Sequence, residues 1–201
     1  MPRTKKVTLN PGESPFASES AKPGKIILAL ISPLPFEVLS LLSDHLQHEF
    51  HVPVEQLKLD WEVSSVLNPR RGQYSSPKIL KKLRTVPKGA ADKILGIVDV
   101  DLYCPDYDFI FGEADAQAGV ATLSVYRLKQ DTTDKELIVS RILKEATHEI
   151  GHLFNLGHCD DPQCVMSFST GNLWQIDAKS ASICPDCRST GSLRRLKTIH
   201  N

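Results

Sequence analysis

The sequence predicts a mixed α+β fold, and three observations carry that reading. The run Ile26-Ile27-Leu28-Ala29-Leu30-Ile31 is wholly apolar, strand-sized and rich in β-branched residues, as a buried strand requires. Farther on, Val98, Val100 and Leu102 alternate with Asp99 and Asp101 at the period of two that a strand imposes. Val139, Ile142, Leu143, Ala146, Ile150 and Leu153 instead recur at the helical period, so strands and helices are interspersed along the chain.

Size and composition agree with a folded core. The chain has 201 residues, 41% hydrophobic and 24% charged, and a domain of that length buries roughly 70% of its unfolded surface without disulfide staples. Residues 1–24 carry Pro2, Pro11, Pro15 and Pro23 among Ser, Glu and Lys. With so little apolar surface they are read as a disordered tail, leaving 25–201 as one compact domain.

After Pro33 and Pro35, the spacing of Leu39, Leu42 and Leu46 predicts an amphipathic helix with His45, His48 and Glu49 on its other faces. Leu57, Leu59, Trp61 and Val63 alternate with Lys58, Asp60 and Glu62, predicting a half-buried strand. Asn68-Pro69-Arg70-Arg71-Gly72 breaks the chain, and a short helix is expected over 77–84. A strand over 94–102 follows, then β-like stretches at 109–111 and 120–128, separated by a Gly/Ala/Asp segment over 112–119. Thr133-Asp134-Lys135-Glu136 reads as a capping box with the Thr hydroxyl as cap. It opens a helix over 134–154, roughly 30 Å long.

Charge and hydropathy exclude several classes. Twenty-four Lys and Arg balance twenty-four Asp and Glu, so no global field gathers polyanions and nucleic-acid binding is not expected. No apolar run approaches the ~20 residues of a bilayer span. The N-terminal text lacks an apolar export core, so a cytoplasmic, monomeric protein is expected.

The chemistry is concentrated in the last quarter. In His148-Glu149-Ile150-Gly151-His152 the two histidines are four apart and share one helical face, so both imidazoles reach a single cation. Glu149 lies about 100° round the helix and reaches a water at that cation. The bland alternative is two surface histidines and a solvated glutamate. His158 follows at a distance that lets the chain leave the helix, turn and return a third nitrogen. Three histidines would leave a fourth zinc position open, the mark of a catalytic site.

Cys159, Cys164, Cys184 and Cys187 have spacings suited to a closed four-thiolate zinc site. A redox Cys-x-x-Cys is the competing reading, but it leaves Cys159 and Cys164 unexplained. Cys104 reads as a small buried hydrophobe.

Together the His-Glu-x-x-His text, His158-Cys159, Cys164, Met166 and Cys184-x-x-Cys187 resemble the archaemetzincin family. Val98-Asp99-Val100-Asp101-Leu102 and Phe111-Gly112-Glu113-Ala114 are also similar to it. The resemblance implies a metzincin-like zincin fold: a twisted mixed sheet packed on helices, a long zinc-binding helix, a turn carrying Met166 beneath the metal, and a C-terminal four-cysteine zinc element. It further implies a zinc metallopeptidase with two Zn2+ per chain. One zinc, on His148, His152 and His158, activates water with Glu149 as general base; the other, on the four cysteines, is structural. Phe111, Gly112 and Glu113 would then line a cleft for peptide substrates, short ones given the size of the chain.

The sequence departs from that pattern in two places. Asn155 stands where metzincins usually place a glycine at positive φ, and Asn is the next most tolerant residue there. Phe168, two after Met166, stands where some metzincins carry a tyrosine, so oxyanion stabilisation passes to zinc or another donor, with Tyr103 and Tyr126 as candidates. No cysteine precedes Cys104, so a thiolate switch from an N-terminal segment is not expected. The rival reading is a zinc-stabilised peptide- or nucleic-acid-binding module with little or no turnover; the basic residues Arg188, Arg194, Arg195 and Lys197 are the only support for nucleic acid, and a short charged end is usually solvated. Glu149 beside the histidines argues for chemistry instead.

Overall fold

The structure, a computed structural model, describes residues 24–190. The N-terminal segment before Gly24 and the basic residues Arg194, Arg195 and Lys197 lie outside the described residues.

In chain order the elements are β1 (Ile26–Leu30), α1 (Phe36–Phe50), β2 (Val54–Lys58), β3 (Leu67–Asn68), β4 (Gln73–Ser75), α2 (Ser76–Leu83), β5 (Lys93–Val98), β6 (Leu102–Cys104), β7 (Tyr107–Ile110), β8 (Gly112–Asp115), β9 (Val120–Ser124), α3 (Lys135–Leu153), α4 (Leu173–Ala178) and α5 (Pro185–Ser189). The main sheet has the order β2-β1-β5-β9-β8. Its first four strands are parallel, and β8 pairs antiparallel with β9 at the edge. A second small sheet, β3-β4-β6-β7, sits beside it.

Strand alternation divides the core between the two faces of the main sheet. Ile26, Leu28, Leu95, Ile97, Ala121 and Leu123 point to one face, where α1 contributes Leu39, Leu42 and Leu46, and α3 contributes Ile142, Ala146, Ile150 and Leu153. Ile27, Ala29, Ile94, Val98 and Val120 point to the other, against Ile79, Leu80 and Leu83 of α2. The inner parallel strands β1, β5 and β9 are therefore covered on both faces, which is why they read as apolar runs, whereas the edge strand β2 is largely exposed.

Several expected boundaries move. The alternation over 57–63 is not one strand: β2 ends at Lys58 because its sole partner β1 ends at Leu30, and a 3₁₀ turn follows at Val63–Val66. The strand over 94–102 splits. β5 stops at Val98, Asp99 and Asp101 turn to Lys129 and Arg127, and Leu102 enters the second sheet. The segment over 112–119 contains β8, closed onto β9 by a turn in which Asp115 Oδ1 accepts from Ala118 N at 3.0 Å. β9 ends at Ser124, short of 128. The cap of α3 is Asp134, not Thr133: its Oδ1 accepts from Glu136 N at 2.9 Å and Leu137 N at 3.4 Å. Glu49, placed on an outer face of α1, is 2% exposed and ion-paired with Arg188. That contact also takes Arg188 out of the solvated basic run. Among the described residues no helix is long and apolar enough to cross a membrane.

A candidate metal centre and its cleft

With its apolar stripe committed to the sheet and α1, α3 turns Glu145, His148, Glu149 and His152 toward a cleft of about 940 Å³. Arg141, 2% exposed, fixes the rotation of the helix: it makes paired 2.7 Å bonds to Asp177 of α4 and a 2.9 Å bond to Asp131.

The exit from α3 brings His158 back. Asn155 has φ 62°, the left-handed conformation anticipated there. Leu156 N then donates to Gly151 O at 3.0 Å, and Cys159 N to Met166 O at 3.0 Å, fastening the returning strand to the Met166 turn. One ring nitrogen from each of His148, His152 and His158 lies within 4.8 Å of the others. Met166 is fully buried beneath them, its sulfur in the space a β-carbon on residue 151 would need.

Protonation states follow from the hydrogen bonds. His148 Nδ1 lies 2.9 Å from Val165 O, and His152 Nδ1 lies 2.9 Å from Leu156 O. A carbonyl only accepts, so both Nδ1 atoms carry the proton and both Nε2 atoms present lone pairs. Burial above all pushes the His148 pKa down to about 3, and burial also lowers His152 and His158. The rings are thus neutral at neutral pH, as metal ligands must be. The Nε2 atoms of His148 and His152 face each other at 3.1 Å. Two lone pairs at that distance repel unless a cation lies between them, and Zn–N bonds at a tetrahedral angle place nitrogens roughly 3.3 Å apart. The donor set fits zinc.

Glu149 lies buried beside this cluster, with its carboxylate against Gly112 of β8. An ideal β-carbon on residue 112 would stand 2.5 Å from Glu149 Oε1, so only glycine leaves the carboxylate its place. Burial first, then Glu145 and Glu113, raise the Glu149 pKa well above the usual carboxylate range.

The second cluster comprises Cys159, Cys164, Cys184 and Cys187, whose sulfurs also lie within 4.8 Å of one another. Cys159 and Cys184 sulfurs are 3.9 Å apart, close to the roughly 3.8 Å that Zn–S bonds of ~2.3 Å would set. Cys184 N donates to Cys164 Sγ at 3.4 Å, and Cys187 N to Cys184 Sγ at 3.5 Å. Cys104 is buried, apart from this cluster.

The other anticipated residues fall as follows. Phe111 is 6% exposed and joins β7 to β8, while Gly112 and Glu113 belong to β8 itself; all three line the cleft. The β-like stretch at 109–111 thus ends β7 in the small sheet, and Gly112 and Glu113 enter the main sheet as β8. Phe168 packs its ring 4.9 Å from that of His158. Tyr103 and Tyr126 do not line the cleft. Tyr103 accepts from Asn68 Nδ2 at 3.2 Å beneath Arg71, and Tyr126 is 43% exposed. Beyond the residues expected from the sequence, the cleft holds two buried ionisable groups: Glu145, whose pKa burial raises to about 7, and Lys179, whose pKa burial lowers. Lys179 donates to Ser167 O. The i, i+4 spacing of Glu145 and Glu149 was the available sign for the first; nothing local marks the second.

The profile of Peptidase family M54 matches residues 46–195. The archaemetzincin of Methanopyrus kandleri is 46% identical over 117 residues, 58% of this chain and 65% of that protein, so the match spans just under two thirds of the relative. The archaemetzincin of Pyrococcus furiosus is 35% identical over 173 residues, 81% of this chain and 89% of that one. The M. kandleri crystal structure superposes with a TM-score of 0.76 at 34% identity, over 90% of this chain and 99% of that chain. A zinc-dependent peptidase from Methanocorpusculum labreanum superposes with a TM-score of 0.71 at 33% identity, over 81% of this chain and 97% of that chain. Sequence, fold and the paired histidine and cysteine clusters thus lead to one assignment: the chain belongs to Peptidase family M54.

Proposed function

We propose that the protein is a zinc-dependent peptidase, with His148, His152 and His158 as catalytic-zinc ligands and Glu149 as general base. The observation that carries this is the pair of Nε2 lone pairs facing at 3.1 Å, with both Nδ1 protons spent on backbone carbonyls. Zinc, when bound, would supply Lewis acidity toward a carbonyl and lower the pKa of water toward neutrality.

The protein's own residues do the rest. Val165 O and Leu156 O hold two rings in the ligating tautomer, and the bend at Asn155 presents the third. Glu149, with its raised proton affinity, takes a proton from the attacking water and delivers it to the leaving amine. β8 is the edge of the main sheet, so an extended peptide has a ladder to pair with beside Gly112 and Glu113. The cleft volume suits short peptides.

The four cysteines are assigned a second, structural zinc, giving two per chain, in a chain whose free thiols suit a reducing cytoplasm. A binding module without turnover has no use for a buried carboxylate beside the ligands. The test is Glu149→Ala in zinc-loaded protein: two zinc equivalents retained, with peptide hydrolysis lowered by roughly 10²–10⁴-fold. Turnover at the wild-type rate would overturn the assignment.

A further inference from the structure

The inner end of the cleft holds polar groups that the hydrolytic step does not use. Among the described residues, six buried side-chain oxygens lack a hydrogen-bond partner, and three of them, on Glu113, Glu145 and Ser169, belong to residues lining this cleft. Glu145 is 4% exposed and Lys179 5% exposed. The ammonium of Lys179 donates to Ser167 O, while Glu145 Oε1 has no donor. Glu145 and Lys179 act on each other electrostatically, yet among the described residues no ion pair joins them. Both line the cleft beyond ion-pair distance of each other, one with an acceptor without a donor and the other a cation with hydrogens to spare.

Position ties these groups to the reacting centre. Glu145 is one helical turn before Glu149, about 6 Å along α3. A side chain on a residue adjacent to the reacting carbonyl spans that distance.

We infer that the inner end of the cleft, between Glu145 and Lys179, is a specificity subsite for an uncharged carboxamide side chain, that of Gln or Asn, on the substrate residue next to the scissile bond. This rests on the peptidase reading and names its substrate class. The choice follows by matching groups. A cationic side chain meets the buried ammonium of Lys179. An anionic one meets Glu113, Glu145 and Glu149. An aliphatic or aromatic one leaves the Glu145 acceptor and the Lys179 donors dry and unpaired. A carboxamide carries a donor and an acceptor on one plane: its NH₂ donates to the Glu145 carboxylate and its oxygen accepts from Lys179 Nζ. Sites that hydrogen-bond a substrate group discriminate strongly against analogues lacking it.

The probe is a set of succinyl hydroxamate dipeptide analogues that differ in one side chain next to the zinc-anchoring group: Gln, Asn, Leu, Met, Lys or Glu. Affinities are measured by calorimetry on zinc-loaded full-length protein, so the readout does not require turnover. The Gln analogue should bind at least ~10-fold tighter than the Leu analogue of similar size. Glu145→Met and Glu145→Met/Lys179→Met should each bring that ratio to one or below. Taking the ratio within one preparation cancels any loss of folded protein, and Glu145→Leu serves as a second variant if the first is poorly folded. Equal affinities in wild type, a preference for Leu, Lys or Glu, or a ratio unmoved by both variants would each overturn the subsite. Peptide cleavage read in parallel separates the two claims. A carboxamide preference without hydrolysis would sink the peptidase reading and leave the subsite; hydrolysis without the preference would do the reverse. Failure of every analogue to bind overturns both.

Discussion

The sulfur of Met166 occupies the space where residue 151 would otherwise carry a β-carbon. This gives the glycine of His148-Glu149-Ile150-Gly151-His152 a cause: it is the hole in α3 through which the turn beneath the histidines seats. Gly→Ala in a helix interior ordinarily stabilises by about 0.5–1 kcal/mol. Here overlap with fully buried Met166 reverses the sign, since overpacking a tight core costs about 1–3 kcal/mol. Gly151→Ala should therefore lower stability in urea unfolding and weaken zinc binding at the histidines. Unchanged or increased stability would show that the Met166 turn yields freely.

Gly112 makes the corresponding contact above the helix, against the Glu149 carboxylate. Gly112→Ala pushes that carboxylate off its seat while leaving every proposed ligand in place. The expected result is full zinc content with hydrolysis reduced about 10²-fold, the scale on which a misplaced catalytic group acts. A variant as active as wild type would mean that Glu149 has another working position.

The buried cluster sets an unusual pH dependence for the metal-free protein. His148, at about 3 when folded against 6.5 in the unfolded chain, gives stability that is present above 6.5 and lost as pH falls. Glu145, raised to about 7 from 4.5, acts in the opposite sense: its contribution is full below 4.5 and lost as pH rises to about 7. Between 4.5 and 6.5 the two slopes cancel in part. Glu145→Gln removes one of them. Its metal-free stability should rise more steeply with pH over that window than wild type, by at most about 1.4 kcal/mol per pH unit. Urea unfolding at pH 4.5, 5.5 and 6.5 measures this, and parallel profiles would show that Glu145 does not hold its proton.

What could be read from the sequence was what is local. His148 and His152 share a helical face by spacing, and Asn155 marks a left-handed exit that the structure places at φ 62°. The cysteine spacings likewise restrict where their sulfurs meet. β8 was hidden because Gly112-Glu113-Ala114-Asp115 lacks the β-branched residues of a strand; it forms through pairing with β9. The division of 94–102 was equally hidden, because Asp99 and Asp101 keep a strand's alternation while turning out to Lys129 and Arg127. Lys179 reaches the cleft through the docking of α4 on α3, where Arg141 bonds the Asp177 carboxylate and Lys144 bonds Asp177 O. No spacing rule encodes a contact of that kind.

Arg188 supplies a last case of a long-range constraint acting on the chemistry. Its guanidinium donates to Glu49 Oε2, to Glu49 O at 3.0 Å and to Ile183 O at 3.1 Å. Glu49 in turn accepts from Ile183 N at 3.2 Å and Ser182 Oγ at 3.1 Å. Cys184 is the next residue along, so α1 holds one wall of the cysteine cluster through this contact. Arg188→Ala leaves a carboxylate only 2% exposed without its cation, and breaking such a pair costs about 3–5 kcal/mol when fully buried. Because Arg188 is 22% exposed, water offsets part of that, and about 2–3 kcal/mol is expected. A supporting contact one shell out from a metal typically alters affinity 10–100-fold. Zinc in the proposed cysteine site should therefore exchange faster to a chelator, while zinc in the proposed histidine site is lost later. If both metals leave Arg188→Ala at wild-type rates, the C-terminal element is held by its own thiolates and α1 contributes nothing to it.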